Sequence, residues 1–142
     1  MKKLLKLTIT FVASIFLLTA CSGEKTKTYI HKTDREEGEI TIYYKDDVVN
    51  KLVITNTLKS PDEKSRNIAK SKITEESSDI NGVSVNFEEK NNQLTMKLVV
   101  DYTKIDFDKA KRKLGMKDTL EEERKLSTSE KRAKDLGAEE KK

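Results

Sequence analysis

The stretch "LTMKLVVDY", residues 94–102, carries the strongest pattern in the chain and indicates how the chain folds. Apolar side chains occupy five alternate positions, Leu94, Met96, Leu98, Val100 and Tyr102. Because successive side chains of a β-strand point to opposite faces, this alternation predicts a long strand with one covered face. Such a strand is typical of an antiparallel sheet that packs its apolar face on helices and leaves the other face in water.

Further strands are predicted on the N-terminal side of this stretch. Residues 28–33, 39–45, 48–58 and 83–87 are rich in β-branched or aromatic residues, and several of them alternate in the same way. Lys45-Asp46-Asp47 predicts a tight hairpin turn between the second and third of these strands. Asn81-Gly82 and residues 89–92 predict the turns that flank the fourth strand.

Three helices are expected between and after the strands. Ser60-Pro61-Asp62-Glu63 predicts a helix start with Ser60 as N-cap, and this helix should run to about Ser77. A short helix is expected over 107–113, and a last one should open at the capping box of residues 127–130. This order predicts an α+β fold, an antiparallel sheet of about five strands with two or three helices packed on one face.

The first twenty-one residues predict a targeting signal. Lys2, Lys3 and Lys6 precede an apolar run that is too short to span a bilayer, as in a secretory signal peptide. The run ends in Leu18-Thr19-Ala20-Cys21, which resembles the lipobox of bacterial lipoproteins. In a lipobox the cysteine is acylated, with palmitate among the fatty acids, and becomes the mature N-terminus. We therefore expect a cleaved lipoprotein signal peptide and a lipid anchor on Cys21.

The charge balance argues against nucleic-acid binding once the signal is set aside. The signal holds three of the 29 basic residues and none of the 25 acidic residues, so the formal net charge falls from +4 to +1. A nearly neutral chain with interspersed charges lacks the basic surface that nucleic acid requires. Cys21 is the only cysteine, so no disulfide is available and packing alone must stabilise the fold.

The sequence divides into four segments. The predicted boundaries are a signal peptide over 1–20, the lipidated cysteine and a tether over 21–28, a single α+β domain over 29–137, and a frayed tail over 138–142. The lipobox, "IYYKDDVVNKLVITNT" at 42–57 and "LTMKLVVDYTKIDFDKAKRKLGM" at 94–116 together resemble the YehR family of small bacterial lipoproteins. This resemblance implies a compact α+β domain on the outer face of a membrane, with no catalytic residues and no assigned function.

Candidate catalytic and metal-binding residues all have simpler interpretations. His31 is the only histidine and is expected on the surface of an edge strand, which argues against a catalytic triad or a histidine metal cluster. Asp101, Asp106 and Asp108 lack the spacing of a calcium loop. The charged run at 121–125 and the acidic pair at 36–37 could serve as docking patches or paired catalytic carboxylates, but they are interpreted as solvated faces. We therefore predict no catalytic residue, no metal and no cofactor.

One feature of the sheet's polar face suggests a contact surface. Tyr43 and Val99 should point the same way as Thr41, Thr95 and Lys97, as apolar side chains on an otherwise wet face. They are the candidate binding residues, although a helix or the loop at 106–126 could cover them instead.

The predicted function is a non-enzymatic lipoprotein domain, anchored to the extracytoplasmic face of the cell membrane, that binds a small ligand or an envelope protein. The alternative is a structural or accessory envelope protein that presents a contact surface near the membrane. A concave apolar pocket would favour ligand binding, whereas a flat patch without a pocket would favour protein contact.

Overall fold

The structure is a computed structural model that describes residues 23–142. The predicted signal peptide and Cys21 lie outside the described residues. Within them, six antiparallel strands form one open sheet in the order β4-β5-β3-β2-β1-β6. The strands are β1 (Lys25–Lys32), β2 (Glu36–Lys45), β3 (Val48–Lys59), β4 (Val83–Lys90), β5 (Gln93–Asp101) and β6 (Glu139–Glu140).

Four helices accompany the sheet and confirm the predicted α+β class. They are α1 (Glu63–Ser77), α2 (Phe107–Leu114), α3 (Leu120–Glu123) and α4 (Leu126–Asp135). None of the helices within residues 23–142 combines the length and the apolar character that crossing a membrane requires.

Two hairpin turns set the register of the central strands. Asp46 and Asp47, between β2 and β3, both have positive φ angles, of 50° and 63°. Asn91 and Asn92 repeat this geometry between β4 and β5, with φ of 52° and 60°. Two residues at positive φ form the hairpin turn whose twist matches that of the strands, and Asp and Asn tolerate this conformation well.

The register places the predicted apolar positions on one face, here called the inner face. Ile54 on β3 pairs with Ile40 on β2 and Leu98 on β5. Two residues away on β3, Leu52 pairs with Ile42 on β2 and Val100 on β5. The buried core joins this face to α4 and the chain on either side of it, and consists of Tyr29, Ile42, Val49, Leu52, Val100, Tyr102, Leu126, Ala133 and Ala138.

Two helix starts differ from the sequence prediction. The N-cap of α1 is Asp62, whose carboxylate accepts a hydrogen bond from Ser65 N at 2.8 Å, and Ser60 lies outside the helix at a φ of 51°. Helix α4 begins at Leu126, before the predicted capping box, and has no side-chain cap. Its first N–H group donates instead to the carbonyl of Asp47 at 2.9 Å, so the β2–β3 turn satisfies a group that a cap would otherwise satisfy.

Both ends of the domain are more ordered than the sequence suggested. Strand β1 begins at Lys25, inside the predicted tether of residues 21–28. The predicted frayed tail, 138–142, starts with the buried Ala138 and continues into β6, which pairs with β1. Lys141 N donates to Thr28 O at 2.8 Å. The unpaired backbone groups at the edge of β1 explain this pairing, because an open edge favours addition of another strand.

Candidate functional site

The helices leave a strip of the inner face only partly covered. Helix α4 packs on β2, whereas α1 packs on β4 and α2. Between these two groups lie Ile40, Ile54 and Leu98, which face inward yet are only half-buried. Apolar side chains at the centre of an inner face are normally buried completely, so this strip is a groove and not a finished core.

The groove, here called the inner groove, has three compartments that meet at Ile54. The first has a volume of 210 Å³ and is walled by Leu114, Met116 and Ala133. The second, of 180 Å³, extends towards His31 and Gly38. The third, of 220 Å³, passes beneath α1 and is lined by Ile73, Ser77, Val85 and Met96 among others. The walls are mostly apolar, which is the usual character of small-molecule sites.

An exposed leucine stands at the rim of the inner groove. Leu136, the residue after α4, is 66% exposed and borders both the first and the second compartments. An apolar side chain at the mouth of an apolar groove gains contact area when a ligand enters. Leu136 is therefore a good position at which to test occupation of the groove.

An ion pair between a buried carboxylate and a half-buried arginine closes one wall of the first compartment. Glu123 is 0% exposed and binds both terminal nitrogens of Arg132, with 2.7 Å between Arg132 Nη2 and Glu123 Oε2. The same carboxylate accepts hydrogen bonds from the Tyr102 hydroxyl at 3.0 Å and from Lys117 N at 2.8 Å. All of its acceptor capacity is therefore used.

The surroundings of Glu123 favour its ionised form. Burial alone would raise the pKa of this carboxyl, but the hydrogen bonds from Arg132 and Lys117 N and the charge of Arg132 lower the pKa below its ordinary value of 4.5. Burial, with the Glu123 carboxylate nearby, raises the pKa of Tyr102 far above its ordinary value, so its hydroxyl stays protonated. The wall thus contains one positive and one negative charge in direct contact.

Two polar atoms of the inner groove have no hydrogen-bond partner within residues 23–142. They are the side-chain oxygen of Asn56, which borders the second and third compartments, and the hydroxyl of Ser129, which borders the first. Both atoms are buried. A buried polar atom without a partner is unfavourable by about 1–3 kcal/mol, so such atoms are uncommon in a folded protein.

The predicted binding residues, Tyr43 and Val99, lie on the opposite face of the sheet. Both are half-buried, and β3 separates them. Lys51 places its ammonium group 4.2 Å from the centre of the Tyr43 ring, and Val53 pairs with Val99. The structure therefore places both residues on one face without direct cross-strand pairing.

The other residues considered from the sequence have local structural roles. His31 lies on β1, with Nδ1 3.4 Å from Gly137 O and Nε2 3.8 Å from a Glu36 carboxylate oxygen. Asp101 accepts hydrogen bonds from Thr103 within a turn, and Asp106 caps α2 through Lys109 N at 3.3 Å. No group of three potential metal ligands is present in the part of the chain that the structure describes.

The interpretation of residues 121–125 as a solvated face is wrong for Glu123, which is 0% exposed. The chain bends between α3 and α4, and this bend carries Glu123 inward to Arg132 while Glu121 and Glu122 stay exposed. No local spacing signals the pair, because Glu123 and Arg132 lie on two different helices. The apolar alternation that ends at Tyr102 predicts that this phenol points inward, and the structure shows that its hydroxyl donates to Glu123.

Comparison with known proteins places the chain in a family. Residues 25–138 match the profile of a family described as protein of unknown function, DUF1307. Among the curated proteins, no sequence matches significantly.

Two solved structures share the fold. The NMR structure of Escherichia coli YehR superimposes with a TM-score of 0.66 at 18% identity, covering 82% of this chain and 90% of the other. The NMR structure of a protein from Streptococcus pneumoniae TIGR4 gives a TM-score of 0.58 at 19% identity, covering 83% and 85%. These matches confirm the resemblance to the YehR family found in the sequence.

Proposed function

The chain belongs to the DUF1307 family, whose function is unknown, and we propose that it is a lipid-anchored envelope protein that binds a small apolar ligand in the inner groove. The observation that carries the proposal is the half-buried strip of Ile40, Ile54 and Leu98 at the centre of the inner face. A ligand lying on this strip would remove apolar surface from water, which is favourable by about 25 cal/mol per Å².

The three compartments have a combined size suited to a ligand. Each is smaller than the roughly 300 Å³ at which typical ligand pockets begin, but all three have Ile54 in their linings, and we propose that one ligand occupies more than one of them. A ligand that reaches from one compartment into the next must be long and not compact.

The proposed role is binding and not catalysis. Glu123, the most deeply buried carboxylate of the inner groove, already accepts four hydrogen bonds and is held in its ionised form. A carboxylate in this state is a poor general acid and has no free lone pair to act as a base. His31 faces Glu36 at the far end of the groove and has no nucleophile among its described neighbours.

The proposed location rests on the start of the sequence. The lipobox-like Leu18-Thr19-Ala20-Cys21 would place a diacylglyceryl group on Cys21, and two acyl chains are sufficient for stable anchoring. Metabolic labelling with an alkyne fatty acid tests this part, and the expected result is label on the wild-type protein and none on Cys21→Ala. Label on the Cys21→Ala variant would exclude the thioether anchor.

Binding of a neutral apolar fluorophore, N-phenyl-1-naphthylamine, tests the groove. We expect saturable binding to residues 23–142 and a loss of about tenfold in affinity for Leu136→Asp, which places a charge at the mouth of the groove. Ile68→Asp is the matched control, because Ile68 is 58% exposed on α1 and lies away from the three compartments. Equal affinity of both variants for the probe would mean that the inner groove is not the binding site.

The alternative function is an accessory protein that contacts another envelope protein through the opposite face of the sheet. The observation in its favour is that Tyr43 and Val99 are half-buried apolar residues on the face opposite the inner groove. The stability of the double variant Tyr43→Ser with Val99→Thr separates a contact surface from a covered layer.

A further inference from the structure

The polar atoms of the inner groove indicate the chemical class of its ligand, an inference that rests on the proposed function. Asn56 and Ser129 border different compartments, and their side-chain oxygens are buried without a partner within residues 23–142. The Asn56 oxygen can only accept a hydrogen bond, whereas the Ser129 hydroxyl can donate or accept. A ligand that satisfies both atoms must therefore carry at least one hydrogen-bond donor.

The charges around the groove argue against an anionic ligand. Arg132 uses both of its terminal nitrogens on Glu123, and His31 faces Glu36. No other cation lines the three compartments, as far as residues 23–142 define them. A carboxylate or phosphate brought into the groove would leave water without gaining a countercharge, which is strongly unfavourable.

The acidic residues that border the groove do not favour a cationic ligand. Glu39 and Glu76 border the second and third compartments without a salt bridge to another described residue, but both are exposed. Attraction between solvent-exposed charges is weak and screened by salt. The buried carboxylate, Glu123, is already neutralised by Arg132.

We propose that the ligand of the inner groove is a neutral single-chain amphiphile whose polar end carries a hydroxyl or amide donor. Its apolar chain lies on Ile54 and Leu98, and its donor bonds to Asn56. The small volume of the compartments supports one chain and not two, since each holds only about 200 Å³. This assignment goes beyond the proposed function, which requires only that the ligand be apolar.

Four probes with the same twelve-carbon chain separate these possibilities. They are glycerol monolaurate, which is neutral and carries hydroxyls, methyl laurate, which is neutral without a donor, laurate, and dodecyltrimethylammonium. Displacement of N-phenyl-1-naphthylamine from residues 23–142 is measured below the critical micelle concentration of each probe or, for methyl laurate, below its solubility limit. This span holds every described strand and helix, and domains of the same fold have been solved in solution by NMR.

The expected order places glycerol monolaurate first, with methyl laurate about fivefold to tenfold weaker, which is the contribution of one hydrogen bond. Laurate and dodecyltrimethylammonium should be weaker than methyl laurate. If either charged probe bound more tightly than methyl laurate, the assignment of a neutral ligand would be overturned. If glycerol monolaurate and methyl laurate bound equally well, the assignment of a hydrogen-bond donor to the ligand would be overturned. If none of the four displaces the fluorophore, the apolar-ligand function itself fails as well.

Asn56→Leu provides the decisive variant. It removes the unpartnered oxygen without leaving a cavity, so the domain should be at least as stable as the wild type. We expect it to abolish the preference for glycerol monolaurate over methyl laurate. Asn86→Leu, at an exposed position of β4, is the control and should keep the preference. If Asn56→Leu still preferred glycerol monolaurate to methyl laurate, the hydrogen bond from the ligand would have another acceptor and the proposal would be overturned.

Discussion

Tyr102, the residue after β5, donates its phenolic hydrogen to Glu123 at the end of α3 over 3.0 Å, inside the core. This bond and the ion pair between Glu123 and Arg132 connect the central sheet to both α3 and α4. The buried carboxylate therefore contributes to the docking of the two helices, and its removal should affect stability more than the removal of a surface charge would.

The first prediction concerns the phenol. Tyr102→Phe should lower the free energy of unfolding by about 1.5–3 kcal/mol, because it removes a buried hydrogen bond to a charged group while keeping the ring. Tyr44→Phe is the control and should change stability by less than about 0.5 kcal/mol, since its hydroxyl makes no side-chain hydrogen bond to a described residue. Urea denaturation of both variants gives the comparison, and similar losses would contradict the role assigned to the Tyr102 hydroxyl.

The second prediction concerns pH. The folded state holds the pKa of Glu123 below its ordinary value of 4.5, so the unfolded chain takes up a proton at a higher pH than the folded chain. The stabilisation by Glu123 is therefore fully present above its ordinary pKa of 4.5 and is lost as the pH falls through the lower, folded-state pKa. The stability difference between wild type and Glu123→Gln should be large at neutral pH and shrink over this range. A difference independent of pH would exclude an ionised Glu123.

The third prediction separates the core from the groove along β5. Leu94 is 0% exposed, so Leu94→Ala should destabilise the domain by about 2–5 kcal/mol. Leu98 is the centre of the apolar alternation but lines the groove and is half-buried, so Leu98→Ala should cost no more than about 2 kcal/mol. Denaturant melts that rank Leu98→Ala above Leu94→Ala would mean that the inner groove is closed in solution.

The fourth prediction uses two glycines with positive φ. Gly82 has φ +82°, and a Cβ there would lie 2.7 Å from backbone atoms of Ile105, so Gly82→Ala should destabilise by at least about 2 kcal/mol. Gly115 has φ +63°, but a Cβ there would meet nothing within 4 Å. Gly115→Ala should therefore lose only about 1 kcal/mol, the strain of the backbone alone. Thermal melts of the pair measure the steric contribution, which would be absent if the two losses were equal.

The fifth prediction concerns the face of the sheet opposite the inner groove. Tyr43→Ser combined with Val99→Thr should lower the free energy of unfolding by less than about 2 kcal/mol, because both side chains are only half-buried. A larger loss would show that this face is packed in solution, and the alternative function as a protein-contact surface should then be abandoned.

The fold could be predicted from the sequence because its signals are local. Alternation over residues 94–102 identifies the inner face, and the turns at Asp46-Asp47 and Asn91-Asn92 determine the register within a few residues of themselves. Facing and register together place Ile40, Ile54 and Leu98 in one row. None of this requires knowledge of where the helices lie.

The groove could not be predicted, since it depends on the position of α4. That position is determined by contacts between distant residues: Leu126 N donates to Asp47 O, and Arg124 donates to Val49 O and to the Asn50 side chain, each at 2.8–2.9 Å. A single sequence has no periodicity that reports such contacts. The burial of Glu123 escaped prediction for the same reason, because an acidic run in isolation resembles a solvated helix face.

The early start of β1 has a mechanical consequence if Cys21 carries the proposed lipid anchor. Lys25 follows Cys21 by four residues, which span at most about 14 Å, so a force that draws the domain away from the bilayer would enter the sheet at the first residue of β1. The component of this force along the strand would act perpendicular to the hydrogen bonds between β1 and β2. It would load all eight paired positions from Lys25 to Lys32 in shear together, and not one hydrogen bond at a time.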